Sequence, residues 1–182
     1  MRQCVLLVVA LLSPPCGAAE DVVFDVERSG ARIDVRARGV VAAPVAVVWQ
    51  TLTDYEGLPG FIPGLSSSVV ASRQGNRLIV DQTGEARFLV FTLPIEVRLE
   101  VTQSPPDWVA TRAVRGNLRR MTGQYDIYPD PGRGTVLIRY YGDIEPDFEL
   151  APLVGLAALR STVEAQFSAM LEEIERRATT KR

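Results

Sequence analysis

Histidine is absent from the 182-residue chain. That excludes Ser-His-Asp and Cys-His catalysis, imidazole metal ligation and imidazole-based pH switching. Lysine occurs once, as Lys181 in the C-terminal tail, which speaks against a catalytic Schiff base. Cysteine occurs twice, as Cys4 and Cys16, both close to the N-terminus. Aromatic residues are only 7% of the chain. Charge of one sign is scarce too: 20 basic against 22 acidic side chains leave a net charge of −2, without the basic excess that a nucleic-acid partner requires. Long apolar runs are missing as well. One of the longer ones beyond the first residues, Leu150 to Leu159, is broken by Pro152 and Gly155 and stopped by Arg160. No phosphate-binding glycine loop, nucleophile elbow or metal-ligand spacing occurs, so neither a metal nor a cofactor is expected.

What the chain does contain is 47% hydrophobic and 23% charged residues, the balance of an ordinary globular protein of one domain. The N-terminus reads as a secretory leader. A charged start at Arg2 precedes the apolar run Val5 to Leu12, then Ser13-Pro14-Pro15 and the small residues Gly17-Ala18-Ala19. Eight apolar residues are too few to cross a bilayer, which takes about 20. Residues 1–19 are therefore expected to be a signal peptide, with residues 20–182 as one exported domain, periplasmic or secreted. Cys16 could instead be acylated, although two prolines directly before it make a poor lipidation site. Cleavage after Ala19 removes both cysteines, so the mature protein has no disulfide and no thiol nucleophile.

Period-two alternation marks strands. Ile33, Val35, Ala37 and Val41 alternate with Asp34, Arg36 and Arg38, and a strand over 22–28 joins them through Ser29-Gly30. Pro44 is expected in the first turn of a helix whose apolar stripe is Val45, Val48, Trp49 and Leu52. Thr53-Asp54-Tyr55-Glu56 has capping-box spacing and predicts a second short helix carrying Tyr55, Leu58 and Phe61. Six strands follow, at about 66–74, 77–91, 94–103, 107–116, 118–129 and 134–145, separated by turn residues such as Gly75-Asn76 and Asp130-Pro131-Gly132. A final helix from Pro152 to about Arg177 places Leu153, Leu156, Val163, Phe167, Met170, Leu171 and Ile174 on one stripe. A sheet with one apolar face needs a cover, and only this helix is long enough. The fold class is α+β: a curved antiparallel sheet wrapped around the C-terminal helix, with a cavity between them.

Several segments carry a resemblance. They are Ala43-Pro44 with Val48-Trp49, Thr53-Asp54-Tyr55, Phe61-Ile62-Pro63-Gly64, the arginine-bearing stretch Gly116 to Gly123, and Pro146-Asp147-Phe148 leading to Pro152. In this order they resemble the helix-grip fold of the START-like (SRPBCC) superfamily, in its polyketide cyclase/dehydrase and coenzyme Q-binding branch, over about residues 32–177. The resemblance implies binding of a hydrophobic small molecule or lipid. That family has no fixed catalytic set, so no catalytic residue is carried over. The export signal departs from members that act on mitochondrial quinone, and the strand at 22–28 falls outside the family pattern.

Ligand contacts are expected from Leu156, Arg160, Val163 and Phe167 on the last helix, and from Tyr55, Phe61, Tyr125 and Tyr140. Arg160 interrupts an apolar stripe, which makes it either a ligand anchor or a structural arginine, in an ion pair or at the edge of the core. Each aromatic is either core or pocket wall. Arg115, Arg119 and Arg120 could hold an anionic group or decorate a solvated turn, and Asp143, Glu145, Asp147 and Glu149 are either a metal-binding or acid/base patch or, more often for such a pattern, the wet face of a strand. A non-catalytic carrier of a lipid, isoprenoid quinone or polyketide-like molecule is favoured. The alternative is a cyclase or dehydratase acting in the same cavity. The mature chain has no transmembrane segment; transient contact with a membrane surface is part of the expectation.

Overall fold

A computed structural model of the chain describes residues 22–88, 91–147 and 154–180. The expected leader, Phe148, Glu149, Pro152, Leu153 and Lys181 lie outside the described residues. Strands β1 (Val23–Ser29) and β2 (Arg32–Val41) form a hairpin, followed by helix α1 (Val45–Leu52) and a 3-10 turn at Leu58–Gly60. Then come β3 (Leu65–Gln74), β4 (Arg77–Phe88), β5 (Phe91–Ser104), β6 (Trp108–Gly116), β7 (Leu118–Asp130), β8 (Thr135–Pro146) and the long helix α2 (Val154–Thr180).

All eight strands make one antiparallel sheet in the order β1-β2-β8-β7-β6-β5-β4-β3. Only the β2–β8 pairing joins strands distant in sequence. The chain therefore leaves β2 near one edge of the sheet and enters β3 at the other, carrying α1 and the 3-10 turn across its open side. Register shifts in β3, at Arg98/Leu99 and at Leu118/Arg120 are bulges, which bend and twist a ladder where they occur. The result is the curved sheet and long C-terminal helix of the helix-grip fold.

Alternation decides what faces inward. Ile33, Val35, Ala37 and Val41 of β2 are buried, and so are Val136 and Ile138 of β8 and Val97, Leu99 and Val101 of β5. Against them α2 sets Phe167, Met170, Leu171, Ile174 and Ala178, all buried. Gly39 on the inner face of β2 makes room for the helix: a Cβ there would collide with Leu171 Cδ1. The earlier half of α2 behaves differently. Leu156, Ala158 and Leu159 are only partly buried and form a small second cluster around Ile33. The second half of α2 thus fills the core, and the first half roofs the space beside it. No described helix is long and apolar enough to cross a membrane.

Some boundaries differ from expectation. Pro44 stands at the N-cap in extended conformation (φ −61°, ψ 140°) rather than within the first turn of α1. The second helix shrinks to the Leu58–Gly60 turn. Its supposed cap is engaged elsewhere, since the Thr53 hydroxyl donates back to Trp49 O at 2.8 Å. Pro59 also has no N–H to continue a helical ladder. Strand β5 starts at Phe91, three residues early, because Phe91, Thr92 and Leu93 pair with Phe88, Arg87 and Ala86. The helix expected to end near Arg177 continues to Thr180.

Candidate functional site

Between the inner face of the sheet and the first half of α2 lies a cavity of about 270 Å3. Its walls come from strands β4 to β8, its floor from Leu52, Tyr55 and Leu58, and its roof from Leu159, Thr162, Val163, Gln166, Phe167 and Met170 of α2. Most of the lining is aliphatic: Val80, Ile95, Val97, Leu99, Val101 and Val109 contribute along β4, β5 and β6 alone. These are the inward positions of alternating strands, so the pattern that builds the core also builds the pocket.

Five of the eight expected contact residues line it: Tyr55, Tyr125, Tyr140, Val163 and Phe167. Phe167 is 2% exposed, and its ring stacks on Tyr125 with centroids 6.4 Å apart and 6° between planes. Tyr125 and Tyr140 sit opposite one another across the β7–β8 ladder, with ring centroids 4.8 Å apart and a 44° tilt. The Tyr140 ring lies over a pair of facing glycines, Gly123 and Gly142. A Cβ on Gly142 would strike the Tyr140 hydroxyl, and one on Gly123 would come within 2.9 Å of it. Only a glycine pair lets this ring lie down along the wall. That notch was not expected from the sequence, because it exists only once the register brings residues 123 and 142 together.

The other three expected residues are elsewhere. Arg160 is exposed, with its guanidinium 3.5 Å from the carbonyl oxygen of Phe24 on β1, and it is not among the cavity-lining residues. Of the two readings offered for it, the placement matches the edge-of-core arginine. Leu156 packs in the cluster around Ile33. Phe61 packs on the core and lies under the Arg177 guanidinium, 5.3 Å from its ring centroid.

The polar groups also sort by place. Tyr55 at the floor accepts a 2.7 Å hydrogen bond from Gln103 Nε2. Burial raises the Tyr55 hydroxyl above its ordinary value, against the lowering effects of that bond and of Arg73. Burial likewise pushes Tyr140 up to about 12, helped by the charge of Asp143, and raises Tyr125. Both phenols are therefore protonated at any ordinary pH. Two of the three arginines considered for an anionic group are taken up by carboxylates instead. Arg120 pairs with Asp143 at 2.6 Å, and Arg119 pairs with Asp147 at 2.7 Å. Asp143 is pushed up by partial burial, but the Thr122 and Arg120 hydrogen bonds outweigh this and lower it. The acidic residues 143, 145 and 147 thus act as a charged strand face in ion pairs with arginine. Among the described residues, no cluster of acidic side chains is arranged to hold a metal ion.

One ionic assembly closes the floor. Glu173 of α2 accepts from Arg176 (2.6 and 2.7 Å) and from Arg177 (2.6 Å). Arg177 also pairs with Asp54 at 2.9 Å and covers Phe61, so it ties α2 to the segment between α1 and the 3-10 turn. Nothing in the local spacing of Asp54 announced this partner more than a hundred residues away.

Comparison with known proteins agrees with this geometry. The family model described as polyketide cyclase / dehydrase and lipid transport matches residues 41–171. None of the curated proteins compared with the chain matches it. Among solved structures, the Zhui aromatase/cyclase from Streptomyces sp. R1128 superposes with a TM-score of 0.68 at 16% identity, covering 82% of this chain and 95% of that one. A STAR-related lipid transfer protein from Xanthomonas axonopodis gives a TM-score of 0.66 at 14% identity, covering 87% and 96%. A START superfamily protein from Mycobacterium smegmatis gives 0.61 at 14% identity, covering 82% and 99%. At such identities the structural likenesses speak for the fold alone. The family model, matched over most of the length, carries the assignment: this chain belongs to the polyketide cyclase / dehydrase and lipid transport family, within the START-like superfamily.

Proposed function

We propose that the protein is an exported carrier that sequesters a hydrophobic small molecule, a lipid, isoprenoid quinone or polyketide-like compound, between its sheet and α2. The observation that carries this reading is the predominantly aliphatic lining of the 270 Å3 cavity. Transfer of roughly 200 Å2 of apolar surface, about one large aromatic group, from water into such a site is favourable by about 5 kcal/mol. The lipid-transfer neighbour supports the same reading by analogy of fold. Delivery requires a brief encounter with a membrane or a partner that accepts the ligand.

A second reading, a cyclase or dehydratase, draws on the aromatase/cyclase neighbours and on the phenol groups in the cavity. General acid–base work favours a group that titrates near the working pH. A phenol held protonated to about 12, as Tyr140 is, suits orientation better than proton shuttling. Native mass spectrometry of the protein purified from its own compartment tests the carrier. A co-purifying, releasable apolar molecule is expected. Protein that carries none and shows no saturable binding of apolar fluorescent probes would overturn it.

A further inference from the structure

Two paired tyrosines in the wall of an apolar cavity need a reason. Every fully buried side-chain nitrogen or oxygen among the described residues has a hydrogen-bond partner. Tyr125 and Tyr140 have none for their hydroxyls among those residues, so both hydroxyls keep accessible surface, and the space that both residues line is the cavity. They stand on neighbouring strands at paired positions with ring centroids 4.8 Å apart, so both donors belong to one patch of wall. The nearby Thr111 hydroxyl is already committed to Gly123 O, and the Thr162 hydroxyl to Ala158 O.

Positive charge is missing from the described lining. No arginine is among the described lining residues, and the one carboxylate there, Glu85, is already engaged with other groups. An anionic head group brought to these tyrosines would lose its water and meet no cation among the described lining residues, at a cost of several kcal/mol. Two phenolic donors do match the two lone pairs of one carbonyl oxygen.

We propose that the ligand is uncharged and bears a carbonyl oxygen, which the Tyr125 and Tyr140 hydroxyls hold by donated hydrogen bonds. This rests on the carrier reading and adds to it the chemical class of the ligand's polar end: a ketone, quinone or ester rather than a free fatty acid or a phosphate. Burial keeps both phenols protonated at neutral pH, so both donors are available there.

Three probes on one skeleton test it: fluorene, fluorenone and fluorenecarboxylate. In the wild type the carboxylate should bind at least about tenfold more weakly than fluorenone. In the double variant Tyr125→Phe/Tyr140→Phe, fluorenone should lose roughly fivefold or more in affinity while fluorene changes less than about twofold. The infrared carbonyl stretch of fluorenone bound to the wild type should lie below its value in hexane, a readout that needs no variant. An unshifted stretch, equal losses for fluorene and fluorenone, or tighter binding of the carboxylate would overturn the assignment and leave the carrier standing. Failure of all three probes to bind the wild type would overturn the carrier itself, and this inference with it.

Discussion

Phe167 is the residue on which core and cavity meet. It is buried, it stacks on Tyr125, and it borders the open space. Phe167→Trp adds ring volume just where the ligand has to fit. We expect probe affinity to fall at least about tenfold, with a stability change of about 1–3 kcal/mol from overpacking. Fluorescence titration and thermal melting separate the two effects. Unchanged probe affinity in a folded variant would place the ligand elsewhere. Arg160 makes the opposite case. It lies exposed beside the edge strand, 3.5 Å from Phe24 O, so Arg160→Met should shift stability by no more than about 0.5 kcal/mol and leave probe affinity unaltered. A marked loss of affinity in isothermal titration would mean that Arg160 reaches the ligand after all.

Among the elements, α2 divides its labour. Its second half is anchored by apolar contacts and by the assembly of Glu173, Arg176, Arg177 and Asp54. The Arg176 hydrogen bonds, the largest effect, together with the one from Arg177 overcome the desolvation of Glu173 and hold its carboxyl at about 2, below the ordinary 4.5. A carboxyl depressed by folding stabilises the native state above its unfolded value, and that contribution fades as the pH falls from about 4.5 towards 2. Screening by the water around Arg176 leaves it worth about 1–2 kcal/mol. Glu173→Gln should therefore lower the melting temperature at pH 7 and flatten its decline through the acid range. A wild-type-like acid decline in the variant would show that other carboxylates dominate. The first half of α2, which forms most of the cavity roof, is held more lightly, by the small cluster around Ile33 and by Gln166 Nε2 donating to Pro63 O at 3.0 Å.

For the whole molecule, the proposal of export has its own test. N-terminal sequencing of the protein from its native compartment should start at Glu20, and a chain that keeps Met1 would defeat both cleavage and the thiol-free mature form. The sequence by itself determined the strands, the closing helix and the inward stripe from Phe167 to Ile174, because period-two and 3.6-residue patterns are local consequences of burying one face. It also determined that imidazole chemistry is excluded, because composition needs no geometry. Three things were decided only by the tertiary structure. Arg160 lies on the apolar stripe in a helical projection, yet the roof end of α2 meets the sheet at its β1–β2 edge, where a long side chain escapes to water. The Gly123–Gly142 notch under Tyr140 depends on the register of two strands, which neither strand states alone. The Asp54–Arg177 bridge joins residues brought together by the chain crossing the open side of the sheet. Local pattern specifies which face of each element is apolar; which apolar positions fill the core and which border empty space depends on how far the packed elements stand apart.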